Sequence, residues 1–488
     1  GSPGRTFDPG QAEMFDVNSD GLSDFVVTDP ARYRTREGDP AVGVFFNGFE
    51  GKDARPAGEA AVFSDAVPVA VAPGLSNILQ WRNDQVVPMD VDGDGRGDFL
   101  HMVRRNEYGW FTPTRDPDGA LAATSPADQG WRFSYARVEL PSFDSDPRID
   151  FVADPTHYKA FDVNNDHLID VVQTTGTTMR TWLNLGWVAG GEGRFGQASW
   201  TGANWSLSTE PIESCLLSDG LPVDFSDPEV RIADMNGDGL QDIVRLRRGS
   251  IVYWPGRGTG SWGDGPVDCD RGEGDGRHIP MDRPPAELDF NLTGVSLSDV
   301  NADGAADIVQ VRFGEADVWF NLSGTSFSER VVTMIPTSAS FDQDVRFADI
   351  DGSATLDLVV ARSGGWQYLD FMGGQRPRLL TNVRNGLGAE TTLFYDSSTT
   401  DYVADLVEAG QCSGSGCDRF TWSQVEGDCD ALLQDSSGEC AYRSGGSPVV
   451  STVVRGSETT DHFEALGREP NTMRSEYAYH DGYYEGIE

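Results

Sequence analysis

Nineteen aspartates and four asparagines recur in this chain at a spacing suited to a hard cation or to a tight turn. They lie in six copies of one nine-residue pattern: DVNSDGLSD from Asp16, DVDGDGRGD from Asp90, DVNNDHLID from Asp162, DMNGDGLQD from Asp234, DVNADGAAD from Asp299 and DIDGSATLD from Asp349. Positions 1, 3, 5 and 9 are Asp16, Asn18, Asp20 and Asp24 in the first copy, Asp90, Asp92, Asp94 and Asp98 in the second, and Asp162, Asn164, Asp166 and Asp170 in the third. They are Asp234, Asn236, Asp238 and Asp242 in the fourth and Asp299, Asn301, Asp303 and Asp307 in the fifth. The sixth offers Asp349, Asp351 and Asp357, with Ser353 at position 5. Oxygens so spaced, with Gly at position 6 for a left-handed turn and the position-7 carbonyl as a further donor, suit Ca2+, which takes about six to eight oxygens at about 2.3–2.6 Å. A helix-loop-helix calcium loop would need a bidentate Glu at position 12. That position holds Val27, His101, Gln173, Arg245, Gln310 and Val360, which excludes it. His167 replaces the glycine of the third copy, and Ser353 and Ala354 cost the sixth a carboxylate and its glycine, so the sixth site is expected to be the weakest or empty. The alternative is metal-free: Asx-turns that cap strands.

Such loops must be held by strands. Each copy runs from position 9 into an apolar, β-branched stretch (DFVV, DFLHMV, DVVQT, DIVRL, DIVQV, DLVVA), so the order is loop, then strand. Aromatic runs ending near Asn or Gly follow: GVFFNGF from Gly43, TWLNLG from Thr181, IVYWPG from Ile251, VWFNLSG from Val318 and WQYLDF from Trp366. The copies start 74, 72, 72, 65 and 50 residues apart, a unit of about 50 residues with variable insertions. Runs apolar on both faces imply burial on both, as in blades stacked around an axis. The aromatics are expected in the cores between blades, sugar binding being the alternative. With 57 Gly and 26 Pro, long helices are disfavoured. The expected fold is all-β: a β-propeller over residues 8–372 with six blades, or seven if one blade lacks the motif.

These repeats resemble the FG-GAP or VCBS repeats of integrin-like propellers, whose blades carry a DxDxDGxxD calcium loop. After Phe371 the aspartate pattern stops, and NGLGAETTLFY, SPVVSTVV and YHDGYYEG follow in that order. The first alternates around a Gly turn as a hairpin does. Propeller, NGLGA, PVV and YHDGYYEG in this order resemble the B component of bacterial Tc toxins and related Rhs proteins. The resemblance implies that residues 373–488 begin an Rhs-type β shell, that the chain is a fragment of a larger protein, and that the propeller docks onto a pore-forming component and gates a shell holding the cargo-carrying Rhs component. A Cys-rich insertion at 412–440 departs from that family's pattern.

Of the six cysteines, Cys412, Cys417, Cys429 and Cys440 crowd into this insertion, and Cys215 and Cys269 stand apart. Disulfides are expected, with zinc or free thiols as alternatives; the short CxxC of zinc ribbons is absent. Proximity suggests Cys412 with Cys417, Cys429 with Cys440, and Cys215 with Cys269. Disulfides and calcium agree on a secreted, extracellular location.

Charge removes other classes. A formal charge of −41, with Lys52 and Lys159 the only lysines, leaves no basic stripe for nucleic acid or anionic membrane. No apolar run is long enough for a membrane-spanning helix. No two of the six histidines stand at a metal-binding or nucleophile-base spacing, and no GxSxG, Walker or HExxH pattern occurs, so no enzyme is expected. Binding is expected in rim insertions, rich in Gly, Asp, Ser and Pro and poor in strand pattern, over Phe111 to Asp150, Trp187 to Asp227 and Arg257 to Glu287, with Trp110, Trp131, Trp187, Trp205 and Trp262 as anchors or as caps on their own blades. The rival functions are an adhesin for a host protein or glycan and an accessory domain of a polysaccharide-degrading enzyme.

Overall fold

The computed structural model describes residues 11–18, 22–47, 63–83, 85–91, 97–104, 107–115, 131–139, 156–166, 168–175, 178–185, 195–201, 205–218, 221–263, 278–286, 288, 294–312, 314–335, 345–361, 366–373, 376–398, 452–461 and 471–477. The thirty-two elements with assigned bounds among them are all strands, so the protein is all-β as expected.

Each repeat begins one strand earlier than the sequence pattern suggests. Short strands Ala12–Phe15, Val86–Met89, Tyr158–Phe161, Val230–Ala233, Val295–Ser298 and Val345–Ala348 lead into the six aspartate loops. The chain returns antiparallel along Asp24–Val27, Asp98–Arg104, Asp170–Thr175, Asp242–Arg247, Asp307–Arg312 and Asp357–Val360. The register repeats: position 9 always faces the residue just before position 1, as in Phe15 with Asp24, Ala233 with Asp242 and Ala348 with Asp357. The aspartate loop is therefore the connection of a β-hairpin. The aromatic runs form third strands, including Pro40–Phe45, Thr178–Asn184, Ser250–Trp254, Glu315–Trp319 and Gln367–Asp370.

Because the returning strands are apolar on both faces, each repeat packs against two neighbours. Six buried clusters result, and each takes its residues from two consecutive repeats. Val26 and Phe99 join the first and second repeats, Leu100 and Val171 the second and third, and Val172 and Ile243 the third and fourth. Val244 and Ile308 join the fourth and fifth, and Val309 and Leu358 the fifth and sixth. The last cluster joins Val359 of the sixth repeat to Phe25 of the first, where Trp366 stacks edge-on against Phe25 at 4.7 Å. The aromatics expected between repeats are there: Trp182, Trp254 and Trp319 are all buried.

Two expectations need correction. The first two repeats do not form separate sheets: Val67–Val71 pairs in parallel with Trp131–Glu139 at Ala70 with Arg132 and Val71 with Phe133, giving one nine-stranded sheet. The cause is the long hairpin of Glu107–Arg115 and Trp131–Glu139, nine residues a side, whose edge reaches the neighbouring strand while Phe133 fills the shared core. Nor are the insertions strand-poor. Trp131–Glu139 lies in one, and Phe195–Trp200, Trp205–Ser208 and Ile212–Cys215 lie in another. Alternation in WRFSYARVE is the signal for the first.

The tail forms a separate four-stranded antiparallel sheet of Asn382–Arg384, Ala389–Ser397, Thr452–Asp461 and Asn471–Glu476. NGLGA is a hairpin turn as expected: Asn385 accepts from Leu387 and Ala389, and Gly386 and Gly388 take φ of 71° and 105°. This sheet stays open to solvent, with Leu387 81% and Met473 67% exposed. The YHDGYYEG segment and Cys269, Cys412, Cys417, Cys429 and Cys440 lie outside the described residues. Cys215 is disulfide-bonded.

Candidate metal centres

Within the nine-residue loops, each acidic position has its own job. Position 1 gathers the turn by accepting backbone N–H groups. Asp234 takes those of Gly237 at 2.7 Å and Gly239 at 2.8 Å, Asp299 those of Asp303 and Gly304, and Asp349 those of Ser353 and Ala354. Position 5 closes a second Asx-turn onto position 7, from Leu168 to Asp166, Leu240 to Asp238 and Ala305 to Asp303. Two left-handed residues permit this path, at positions 4 and 6: Gly237 and Gly239 in the fourth loop, Ala302 and Gly304 in the fifth, Gly352 and Ala354 in the sixth. The expectation covered position 6 only. Ala354 takes φ 60° without being glycine.

Position 9 is buried completely: Asp24, Asp98, Asp170, Asp242, Asp307 and Asp357 are each 0% exposed. In all six, Oδ2 accepts the N–H of position 2, at 2.9 Å from Val17, Val163 and Met235, 3.0 Å from Ile350, 3.2 Å from Val91 and 3.3 Å from Val300. In four, Oδ1 accepts an N–H at the end of the aromatic strand: Asn47 to Asp24, Asn184 to Asp170, Gly256 to Asp242 and Asn321 to Asp307, at 2.7–2.8 Å. This carboxylate is a clasp binding three strands, whatever else it ligates. The asparagine so held reaches onward: Asn321 donates to Met235 O in the preceding repeat at 2.8 Å, and Asn47 to Ile350 O in the sixth at 3.1 Å.

Burial sets the electrostatics. Desolvation, with the loop's other aspartates adding to it, pushes Asp242 up to about 7, Asp307 to about 8 and Asp357 to about 9, against the pull of backbone hydrogen bonds. Asp170 is raised well above the usual carboxylate range for the same reason. A nearby cation would remove that penalty.

The loops also adjoin one another. A side chain built on Gly237 would stand 3.5 Å from Asp303 O, one on Gly239 would stand 3.9 Å from Asn165 Nδ2, and Ala306 N donates to Asp234 O at 2.7 Å. The third, fourth and fifth loops thus share one end of the body.

A hard cation fits the donor chemistry, which is all oxygen. The sixth loop brings its three carboxylates together: ligand atoms of Asp349, Asp351 and Asp357 lie within 4.8 Å of one another, and Asp357 Oδ1 is buried without a hydrogen-bond partner. The loop expected to be weakest is therefore the one among the described residues where three carboxylates converge. In the fifth, Asn301 is 4% exposed and its Oδ1 lacks a partner. In the third and fourth, Asn164 and Asn236 instead turn their amides onto Asp166 and Asp238 at 2.8 and 2.9 Å. Asp20, Asp92 and Asp94 lie outside the described residues; Asp16, Asn18 and Asp90 hold the corresponding loop positions.

Of the expected anchors, Trp262 is a core residue, 0% exposed, donating Nε1–H to Gln241 O and bridging to Gly256. Phe63 and Phe327 do the same work opposite Asn47 and Asn321. Trp110 and Trp131 are half-buried against their repeats' cores. Trp187 and the side chain of Trp205 lie outside the described residues. Among the described residues, no helix is long and apolar enough to cross a membrane.

A family model described as insecticide toxin TcdB middle/N-terminal region matches residues 320–416, about a fifth of the chain. No curated protein matches. A solved structure of the Photorhabdus luminescens Tc holotoxin pore superposes with a TM-score of 0.57 at 19% identity, covering 82% of this chain and 15% of that one. A TcdB2–TccC3–Cdc42 structure covers 99% of this chain and 19% of its own at 17% identity, with a TM-score of 0.49. The chain thus spans less than a fifth of these matched chains, and it is similar in sequence, over residues 320–416, to the TcdB middle/N-terminal region and in fold to part of a Tc holotoxin.

Proposed function

We propose that this chain is the docking and gating region of the B component of a secreted Tc-type toxin: a non-catalytic, six-bladed propeller stabilised by Ca2+ in its aspartate loops and leading into an Rhs-type shell. The observation that carries the reading is the match of residues 320–416. It spans the sixth repeat and the NGLGA hairpin, the junction at which a propeller would pass into a shell.

The ring is supported by the six clusters, each between consecutive repeats and the last between sixth and first. Among the described residues each repeat then meets two neighbours, as in a closed ring. Calcium is supported by the all-oxygen loops, by the buried unpartnered oxygens of Asn301 and Asp357, and by the raised carboxylates that a divalent ion would neutralise. The partners are a pore-forming component, docked on a propeller rim, and the cargo-carrying Rhs component that completes the shell. Half-buried Trp110 and Trp131 are the anchors to try first, since aromatic side chains dominate interface energy.

Assembly tests this. The purified chain, in millimolar calcium, is mixed with a Tc pore-forming component and sedimented. A stoichiometric complex, weakened by Trp110→Ala or Trp131→Ala, is expected. No complex with any such component contradicts the reading.

A further inference from the structure

The segment that leaves the sixth repeat does not run free to the C-terminal sheet; it returns to the fifth aspartate loop. Arg376 donates from Nε at 3.1 Å and from Nη2 at 2.8 Å to the carbonyl of Ala302, position 4 of that loop. Two residues on, Arg378 makes an ion pair with Asp303, position 5, through Nη1 and Oδ2. The Asp303 side chain is only 5% exposed, so the pair is shielded from water on the carboxylate side.

Three further observations bear on this contact. Arg378 and Ala302 both adopt left-handed backbone, φ 64° and 52°, a conformation that side chains with a Cβ hold only when their surroundings impose it. Asn301, between the position-1 and position-5 carboxylates, is 4% exposed and presents an oxygen without a donor. Past Thr381 the chain enters the tail sheet, where Leu393 N donates to Thr381 O at 2.9 Å, so residues 376–381 span the gap between the repeat body and that sheet.

We propose that the fifth loop is a two-cation exchange site, in which Arg378 and Ca2+ compete for Asp303, so that calcium entry releases the segment joining the repeats to the C-terminal sheet. The inference rests on the reading of the aspartate loops as calcium sites. A divalent ion ligated by Asp299, Asn301 and Asp303 would share the Asp303 carboxylate with the guanidinium, and like charges that close repel. The ion satisfies Asn301 Oδ1, which Arg378 leaves unpartnered. Release also relieves the left-handed backbone of Arg378. Chain order gives the exchange its consequence, since freeing residues 376–381 loosens one body from the other without unfolding either.

Hydrogen exchange on the full chain, with CaCl2 as the only added ligand, tests this. Calcium is expected to slow exchange at the amides of residues 301–306 and, with opposite sign, to speed it at 378–381 by about two- to fivefold, the size that reciprocal coupling through this ion pair allows. In Arg378→Gln, whose wild-type side chain is 56% exposed and whose loss should spare folding, 378–381 should exchange fast with or without calcium. The calcium concentration that half-saturates the fifth loop should also fall about two- to fivefold, the range set by a typical ion pair of this exposure. Asp303→Asn should free the segment in both conditions. Calcium that protects the loops while leaving 378–381 unchanged or slower overturns the exchange and leaves the calcium loops standing. Calcium that alters no loop overturns both.

Discussion

Arg346 in the sixth repeat grips Glu13 in the first with two hydrogen bonds of 2.6 Å, Nε to Oε2 and Nη2 to Oε1, across 333 residues of chain. Both side chains are about four-fifths buried. A paired, charge-assisted contact in this position couples the first repeat to the sixth. Glu13→Ala should cost about 1–3 kcal/mol in global stability and should raise exchange first in strands Ala12–Phe15 and Val345–Ala348. The exposed pair Arg474 with Glu476 serves as the control, and Arg474→Ala should change stability by less than about 0.5 kcal/mol. Equal effects of the two substitutions would remove any special role for the closing contact.

The clasp and the ligand positions should separate on mutation. Asp242→Ala strands two buried N–H groups, those of Met235 and Gly256, at about 1–3 kcal/mol each, so denaturant melts in EDTA should show a loss of about 2–6 kcal/mol. Asp238 is exposed, and Asp238→Ala should cost less than about 1 kcal/mol in EDTA but should remove one site's share, about 1.4 kcal/mol, of the calcium-dependent gain. If Asp242→Ala were as mild as Asp238→Ala in EDTA, position 9 would have no clasping role.

Without metal, the buried carboxylates fix the sign of the pH dependence. Asp242, Asp307 and Asp357 are raised by burial to about 7, 8 and 9, from an unfolded value near 3.8. Between the unfolded and folded values the native state binds more protons than the unfolded chain, so stability falls as pH rises. In EDTA the melting temperature should therefore drop steadily from about pH 5 to about pH 9. Saturating calcium should flatten or reverse that slope, because the ion neutralises the same groups. A melt in EDTA that rises over this range would contradict the burial of these charges.

Trp262 should behave as core. Trp262→Ala should cost about 3–5 kcal/mol by urea denaturation, the usual penalty for emptying a buried aromatic site. A variant that melts normally but fails to bind a partner would return Trp262 to the rim.

Much of this was legible because the aspartate loops carry both their chemistry and their position. The strands after them read as buried on both faces, and Asp24–Val27 and Asp357–Val360 are buried at every residue. The strands before them were not legible. AEMF, VRIA and VSLS are four residues long and mix polar with apolar side chains, and their pairing is fixed by the loop rather than by any pattern of their own. Position 4 carries a signal of its own: Gly93, Gly237, Gly352 and Asn165 are residues that tolerate positive φ. The clasp at position 9 was hidden, since Asp there fits a ligand pattern and a backbone clasp equally well. The parallel pairing of Val67–Val71 with Trp131–Glu139 depends on two repeats meeting in space, which no local pattern encodes.

On the proposed reading, calcium in the six loops holds the repeats together. Its most direct test is the thermal melt of the intact chain in EDTA and in 2 mM CaCl2, paired with metal content by elemental analysis. At about tenfold above Kd each site adds about 1.4 kcal/mol, so about five to six bound ions per chain and a large, reversible rise in melting temperature, greater with Ca2+ than with Mg2+, are predicted. An unchanged melt, with no calcium retained, would contradict the account and leave the loops as metal-free Asx-turns.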